Sequence, residues 1–137
     1  MKSSKIIKKQ KTKVEEPRRE THEFDLEGKV FGRAASEVAL LLSGKRKVEF
    51  VPYIDAGDFV CVYNLGKMKI RGGNKLKDKA YYHYSGYPGG IKKAVLVEEL
   101  EKDPDKVFRR AVFGMLPKNS LRKEMIKRLK TNNGPKD

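Results

Sequence analysis

The residues from Lys79 to Lys93, reading K-A-Y-Y-H-Y-S-G-Y-P-G-G-I-K-K, put the most chemistry into the least sequence. Tyr81, Tyr82, Tyr84 and Tyr87 offer flat faces on which a nucleobase can stack, and His83 adds a further ring. Lys79, Lys92 and Lys93 flank the rings with ammonium groups that can neutralise phosphates, and Ser85 adds a hydroxyl. Gly86, Gly89 and Gly90 let the backbone come close to a partner surface, while Pro88 stiffens one corner. A plainer reading stands beside this one: tyrosines are good strand residues, and Tyr-Pro-Gly-Gly is ordinary turn chemistry. The local sequence leaves both readings open.

Other reactive side chains form weaker constellations. His83 could act as a general base with Asp55 or Asp58 as its carboxylate partner, which would make the chain an enzyme acting on a phosphorylated or nucleotide substrate. The nearest nucleophiles, Ser85 and Cys61, have no activating partner in the sequence. Two histidines, His22 and His83, without a cysteine cluster argue against zinc. Asp55 and Asp58 could hold magnesium against RNA phosphates, but turn formation and capping explain them better. Gly72-Gly73-Asn74-Lys75 lacks the spacing of a phosphate loop, and Gly28 to Arg33 lacks that of a dinucleotide fold. No catalytic site, metal or cofactor is therefore expected.

Composition narrows the partner. The 137 residues suffice for one domain, and Lys plus Arg number 32 against 18 Asp plus Glu, a formal charge of +14. Such an excess repels itself unless a polyanion is near, and nucleic acid is the first candidate. An anionic membrane surface comes second, but no basic amphipathic anchor is evident. Apolar runs such as Val38–Leu42 and Phe59–Tyr63 are far too short to span a bilayer. No secretory core follows the start, and Glu15, Glu16 and Glu20 do not suit a transit peptide. One cysteine, Cys61, excludes an internal disulfide and fits a reducing cytosol.

The elements that must position these groups follow from periodicity. Residues 1–19 read as a basic flexible arm, residues 20–130 as a single α/β domain and residues 131–137 as a disordered tail. His22–Leu26 alternates weakly, as a short strand would. Ala35, Val38, Ala39 and Leu42 recur at helical spacing between Arg33 and Ser43, and Gly44 supplies the stop. Lys45, Arg46 and Lys47 follow where cations suit a helix C-terminus, although a solvated loop explains them equally. Phe59–Tyr63 is continuously apolar, as a strand buried on both faces would be, with Cys61 as a small buried hydrophobe. Met68 and Ile70 mark a short strand or helix start. Ala80–Tyr84 carries aromatics on both faces and so calls for neighbours on two sides.

Beyond Gly90 the pattern turns helical, from Val95 to Lys102 and again after Asp103-Pro104, where Val107, Phe108, Ala111, Val112 and Met115 form an apolar stripe with Arg109 and Arg110 pointing elsewhere. A last helix from Asn119 or Ser120 to Lys130 sets Leu121, Met125 and Leu129 on one side. Arg122, Lys123, Lys127, Arg128 and Lys130 occupy the other side, for an anion. This order predicts a small α/β domain with helices on both faces of a short sheet.

Several ordered blocks resemble the bacterial-type large-subunit ribosomal protein thirteen family, from about Phe24 to Lys130. Gly28-Lys29-Val30-Phe31-Gly32-Arg33 is similar to the family's entry to its first helix. Tyr53-Ile54-Asp55-Ala56-Gly57-Asp58 resembles its block before the buried strand, and Asn64 with Lys67 its Asn-x-x-Lys pair. Gly73-Asn74-Lys75, the Tyr-Tyr-x-x-Ser-Gly-Tyr-Pro-Gly-Gly run, and Met115-Leu116-Pro117-Lys118 with Leu121 complete the likeness. The family's tryptophan-bearing first strand and its aromatic, His-Pro tail are replaced by Thr21-His22-Glu23-Phe24 and Lys130-Thr131-Asn132-Asn133-Gly134.

The resemblance implies a three-layer α/β/α fold around a mostly parallel four-stranded sheet. It implies a structural, non-enzymatic constituent of the large ribosomal subunit, in the cytoplasm, that binds large-subunit rRNA, supports early assembly and touches neighbouring ribosomal proteins. It places RNA contacts at Arg33, Lys45, Lys75, Lys79, Tyr81, Tyr82, His83, Ser85, Gly86, Lys92 and Lys118. The basic loops and last helix add Arg46, Lys47, Lys77, Lys93, Arg122 and Lys123, and the aromatic stretch adds Tyr84 and Tyr87. No membrane and no small-molecule substrate are expected as partners.

Overall fold

The computed structural model describes residues 18–135; the expected arm, residues 1–19, lies almost wholly outside them. In chain order the elements are β1 (Thr21–Asp25), α1 (Phe31–Ser43), β2 (Phe59–Tyr63), a 3₁₀ turn (Leu65–Lys67), α2 (Lys75–Asp78), β3 (Ala80–Tyr84), β4 (Ile91–Val95), α3 (Leu96–Lys102), α4 (Pro104–Met115), α5 (Arg122–Lys127) and β5 (Leu129–Thr131).

The domain is mixed α/β, but its strands form two sheets. β2 lies between β1 and β5, parallel to both, while β3 and β4 make a separate antiparallel ribbon. The expected four-stranded, mostly parallel sheet is therefore a three-stranded parallel sheet plus this ribbon. Two strands escaped the sequence pattern. Ile91–Val95 is split by Lys92 and Lys93 and runs straight into α3, and Leu129 belongs to a strand rather than to the last helix, which ends at Lys127. Thr131 is paired to Val62, and Asn132 N–H donates to the Val62 carbonyl at 2.8 Å, so order continues into the expected tail.

Register explains which face is buried. His22, Phe24, Val60, Val62 and Leu129 share one face, where Val60 and Val62 are fully buried and Leu129 is 1% exposed. Thr21, Glu23, Phe59, Cys61 and Lys130 share the other, which is exposed or half-buried among the described residues. Phe59–Tyr63 is thus buried on one face, and Cys61 is half-buried. Helices on both faces were expected, but among the described residues α1 packs on β2 and α4 packs on α1, giving one helical side.

The core is what amphipathic α1 and α4 bury against that face. Ala34, Ala35, Val38, Leu41 and Leu42 of α1 meet Phe108 and Val112 of α4, and Phe31 sets its ring edge against Phe108 with centroids 6.0 Å apart. Gly44, at φ 73°, ends α1 in the left-handed conformation that the sequence called for.

Past Gly44, the Asp55–Asp58 loop folds back onto the end of α1. Asp58 N–H donates to the Leu41 carbonyl at 3.2 Å, and Arg128 Nη2 donates to the Leu42 carbonyl at 3.0 Å, satisfying two carbonyls of the last helical turn. Asp55 binds the Arg128 guanidinium through both carboxylate oxygens, one of them at 2.6 Å. Arg128 is 5% exposed, so it is a buried clamp and not the phosphate ligand its place on the last helix implied. Asp58 accepts from Lys47 Nζ at 2.5 Å, Glu20 N–H at 3.0 Å and His22 Nε2 at 3.1 Å.

Burial pushes the Asp58 carboxyl up, but the bonds from Lys47, Glu20 and His22 outweigh it and hold the group below the ordinary carboxylate value. A carboxylate lowered in the folded state contributes stability above its unfolded pKa, about 3.9, and that contribution is lost as pH falls through the lower folded value. Equilibrium denaturation between pH 6 and pH 2 should therefore show stability dropping below about pH 4, and Asp58→Asn should flatten that drop while lowering stability at neutral pH. An unchanged acid limb in the variant would show that Asp58 does not carry the effect.

Candidate nucleic-acid interface

Most of the expected contact residues divide between a cleft and the β3–β4 ribbon with its turn. The cleft, of about 620 Å³, lies where the start of α1, the loop before α2, β3, α3 and α4 converge. Arg33, Lys75, Lys79 and Tyr81, all expected, line it together. Two cations absent from the sequence expectation, Arg71 and Arg110, complete the ring. Phe31, Ile70, Leu96 and Met115 supply an apolar lining, and among the described residues no carboxylate lines the wall.

Arg110 lies over the Tyr81 ring at 4.4 Å, with Lys79 Nζ at 5.6 Å from the same ring. Burial raises the Tyr81 phenol above its ordinary value, against a smaller lowering by Arg110, so the ring stays neutral. Arg110 sits just off the apolar stripe of α4, and one turn later Gly114 leaves open space beside it. An arginine followed four positions on by a residue without a side chain was the available signal. Arg71 gave none, standing in a glycine-rich stretch that reads as a turn.

The ribbon carries the other rings. Pairing sets Tyr82 opposite Lys93 and Tyr84 opposite Ile91 on one face, and Tyr81 opposite Ala94 and His83 opposite Lys92 on the other. β3 was expected to need partners on two sides, but among the described residues it has one strand partner, and Tyr82 and Tyr84 remain 69% and 59% exposed. At the tip, Ser85 N–H donates to the Gly90 carbonyl at 3.1 Å and Gly90 N–H to the Tyr87 carbonyl at 2.9 Å. A side chain on Gly90 would reach within 2.0 Å of Ser85 Oγ. Ser85 and Gly86 thus build the turn, which projects Tyr87 at 76% exposure.

Elsewhere the expectation scatters. Lys77 is exposed on α2 beside the cleft, and Lys92 and Lys93 are exposed along β4. Lys45 lines a smaller hollow of about 330 Å³ that shares Met115 with the cleft. Arg46, Lys118 and Lys123 are each at least partly open to solvent. Lys47 is half-buried and bound to Asp58, so its charge serves the fold. Arg122 donates to the Phe113 carbonyl and stacks 3.7 Å from that ring, so it too has an internal role. The enzyme alternative loses its carboxylates: Asp55 is held by Arg128, and Asp58 by Lys47 and His22.

Fold and surface together define a small cationic α/β domain with a cation-ringed cleft and a protruding aromatic ribbon. The model of the family described as ribosomal protein L13 matches residues 19–136. Among curated relatives, the large ribosomal subunit protein uL13 of Geobacter sulfurreducens is 47% identical over 135 residues, covering 98% of this chain and 90% of that protein. Its counterpart in Brevibacillus brevis is 53% identical over 119 residues, 87% of this chain and 81% of the relative. The uL13 protein of Syntrophotalea carbinolica is 46% identical over 125 residues, covering 91% and 87%. The chain belongs to the ribosomal protein L13 family. It is a structural component of the ribosome rather than an enzyme.

Proposed function

We propose that the protein is a constituent of the large ribosomal subunit that binds large-subunit rRNA, supports early subunit assembly and lies against neighbouring ribosomal proteins. One observation carries the RNA contact. Arg33, Arg71, Lys75, Lys79 and Arg110 converge on one cleft with no ion pair to any described carboxylate. Arg19, Lys47, Lys67, Lys106, Arg109, Lys127 and Arg128 are each within ion-pair distance of an Asp or Glu. Unpaired cations gathered at one place fit an external polyanion. The exposed rings of Tyr82, Tyr84 and Tyr87 with Lys92 and Lys93 extend the surface along the ribbon, where shape and stacking recognise irregular RNA. Lys45, Arg46, Lys77, Lys118 and Lys123 supply outlying phosphate contacts, and the lysine-rich residues 1–19 add positive charge for the same partner.

Affinity for large-subunit rRNA should fall with salt, and Arg71→Ala/Lys75→Ala/Lys79→Ala should reduce the log–log slope by about 2, at roughly 0.7–0.9 for each phosphate that is no longer neutralised. Filter binding from low to high salt reads this directly, with circular dichroism confirming the fold. A parallel slope for the variant would place the RNA elsewhere. Tyr82→Ala should weaken binding to large-subunit rRNA more than to random RNA; equal losses would indicate a generic polyanion surface. In native extracts the protein should sediment with large subunits, and a mostly free pool would overturn the assignment.

A further inference from the structure

We propose that the cleft ringed by Arg33, Arg71, Lys75, Lys79 and Arg110 is a pocket for a single unstacked nucleotide, which inserts its base while its phosphates stay at the rim. This inference rests on the rRNA-binding reading and says what part of the RNA the cleft takes. Three observations support it. The cavity, about 620 Å³, falls within the range of small-ligand sites and exceeds what a phosphate alone would fill. Its lining is mixed in the way a nucleotide requires: cations with no carboxylate among the described lining residues, but also Phe31, Ile70 and Met115, which offer nothing to a phosphate and bury well against a base.

The third observation is the wall. Arg110 lies over Tyr81 at 4.4 Å, a planar cation on an aromatic ring, and both border the cavity. Guanidinium and tyrosine planes are the surfaces on which splayed bases stack. A regular RNA duplex keeps its bases inside and presents only its backbone and groove edges, so it would leave the apolar lining unused. A bulged or looped nucleotide would fill it. An acidic protein segment could satisfy the cations, but its aliphatic carboxylate side chains would not use the planar wall.

The test separates charge from stacking. Arg110→Lys keeps the cation and loses the planar face; Arg110 is exposed, so the variant should fold. Binding of the full-length variant to large-subunit rRNA should weaken about 10-fold, within the range for one base–aromatic stack, with the salt slope unchanged. Unchanged affinity would overturn the pocket while leaving the rRNA reading intact, whereas failure of the unaltered protein to bind rRNA would remove both. A photo-crosslinking residue in place of Met115, in protein assembled into large subunits, should join predominantly to one unpaired nucleotide. Crosslinks to another protein, or spread along a duplex, would overturn the proposal.

Discussion

Gly57→Ala is expected to lower unfolding free energy by about 3 kcal/mol or more. The reason is backbone proximity. A Cβ at position 57 would lie 1.8 Å from the Leu42 carbonyl oxygen, 2.6 Å from its carbon and 2.7 Å from Arg128 Nη2. None of these can yield cheaply. The Leu42 carbonyl is held in the last turn of α1 and already accepts from Arg128, which is itself held by Asp55. Relief would require withdrawing the 55–58 loop from α1, exposing the carbonyls it covers and loosening the clamp together. Gly66→Ala is the control. Position 66 has nothing within 4 Å and no positive φ, so that change should alter stability by at most about 1 kcal/mol. Urea denaturation of the two variants measures the difference, and equal midpoints would show that the loop does not press on the helix as described.

This geometry also explains what the sequence could and could not disclose. The Asp-Ala-Gly-Asp block was legible as a turn before a strand, and Gly44 as a helix stop. Both depend on local backbone chemistry, which sequence carries directly. The 55–58 loop's second task, closing the end of α1, depends on Arg128 from the far end of the chain, and nothing local marks that pairing. Arg128 looked like one more cation in a basic helix because periodicity reports a face, not what the face meets.

The same limit governs the sheets. Leu129 fits the helical spacing of Leu121 and Met125, yet it pairs with Val60, because the third strand is recruited by an edge that only the folded sheet presents. For the interface, the aromatic-glycine run was visible since its residue types are unusual together. The cleft was not, since Arg33, Arg71, Lys79 and Arg110 come from four segments. Charge counting gives a net sign, while only packing distinguishes a cation that holds the fold, such as Lys47, from one left without a carboxylate partner among the described residues, such as Arg33.

The clamp itself yields a second large effect. Asp55→Asn should cost about 3 kcal/mol or more, because it leaves the buried Arg128 guanidinium without its counter-charge. Arg128→Met should be of similar size, removing the cation from Asp55 and the donor from the Leu42 carbonyl while keeping much of the aliphatic bulk. The double variant is the informative one. With neither charge present, no buried ion is left unpaired, so its loss should be clearly smaller than the sum of the two single losses, by about 1–3 kcal/mol. The Nε of Arg128 already lacks a hydrogen-bond partner, so the arginine is imperfectly satisfied even in place, which favours tolerance of the double change. Additive losses would mean that the two side chains stabilise the fold independently, through the Leu42 carbonyl and the 55–58 turn, and that their ionic contact contributes little. In either outcome rRNA affinity measured on the folded fraction should change little, since this pair lies inside the domain and not on the cleft or the ribbon.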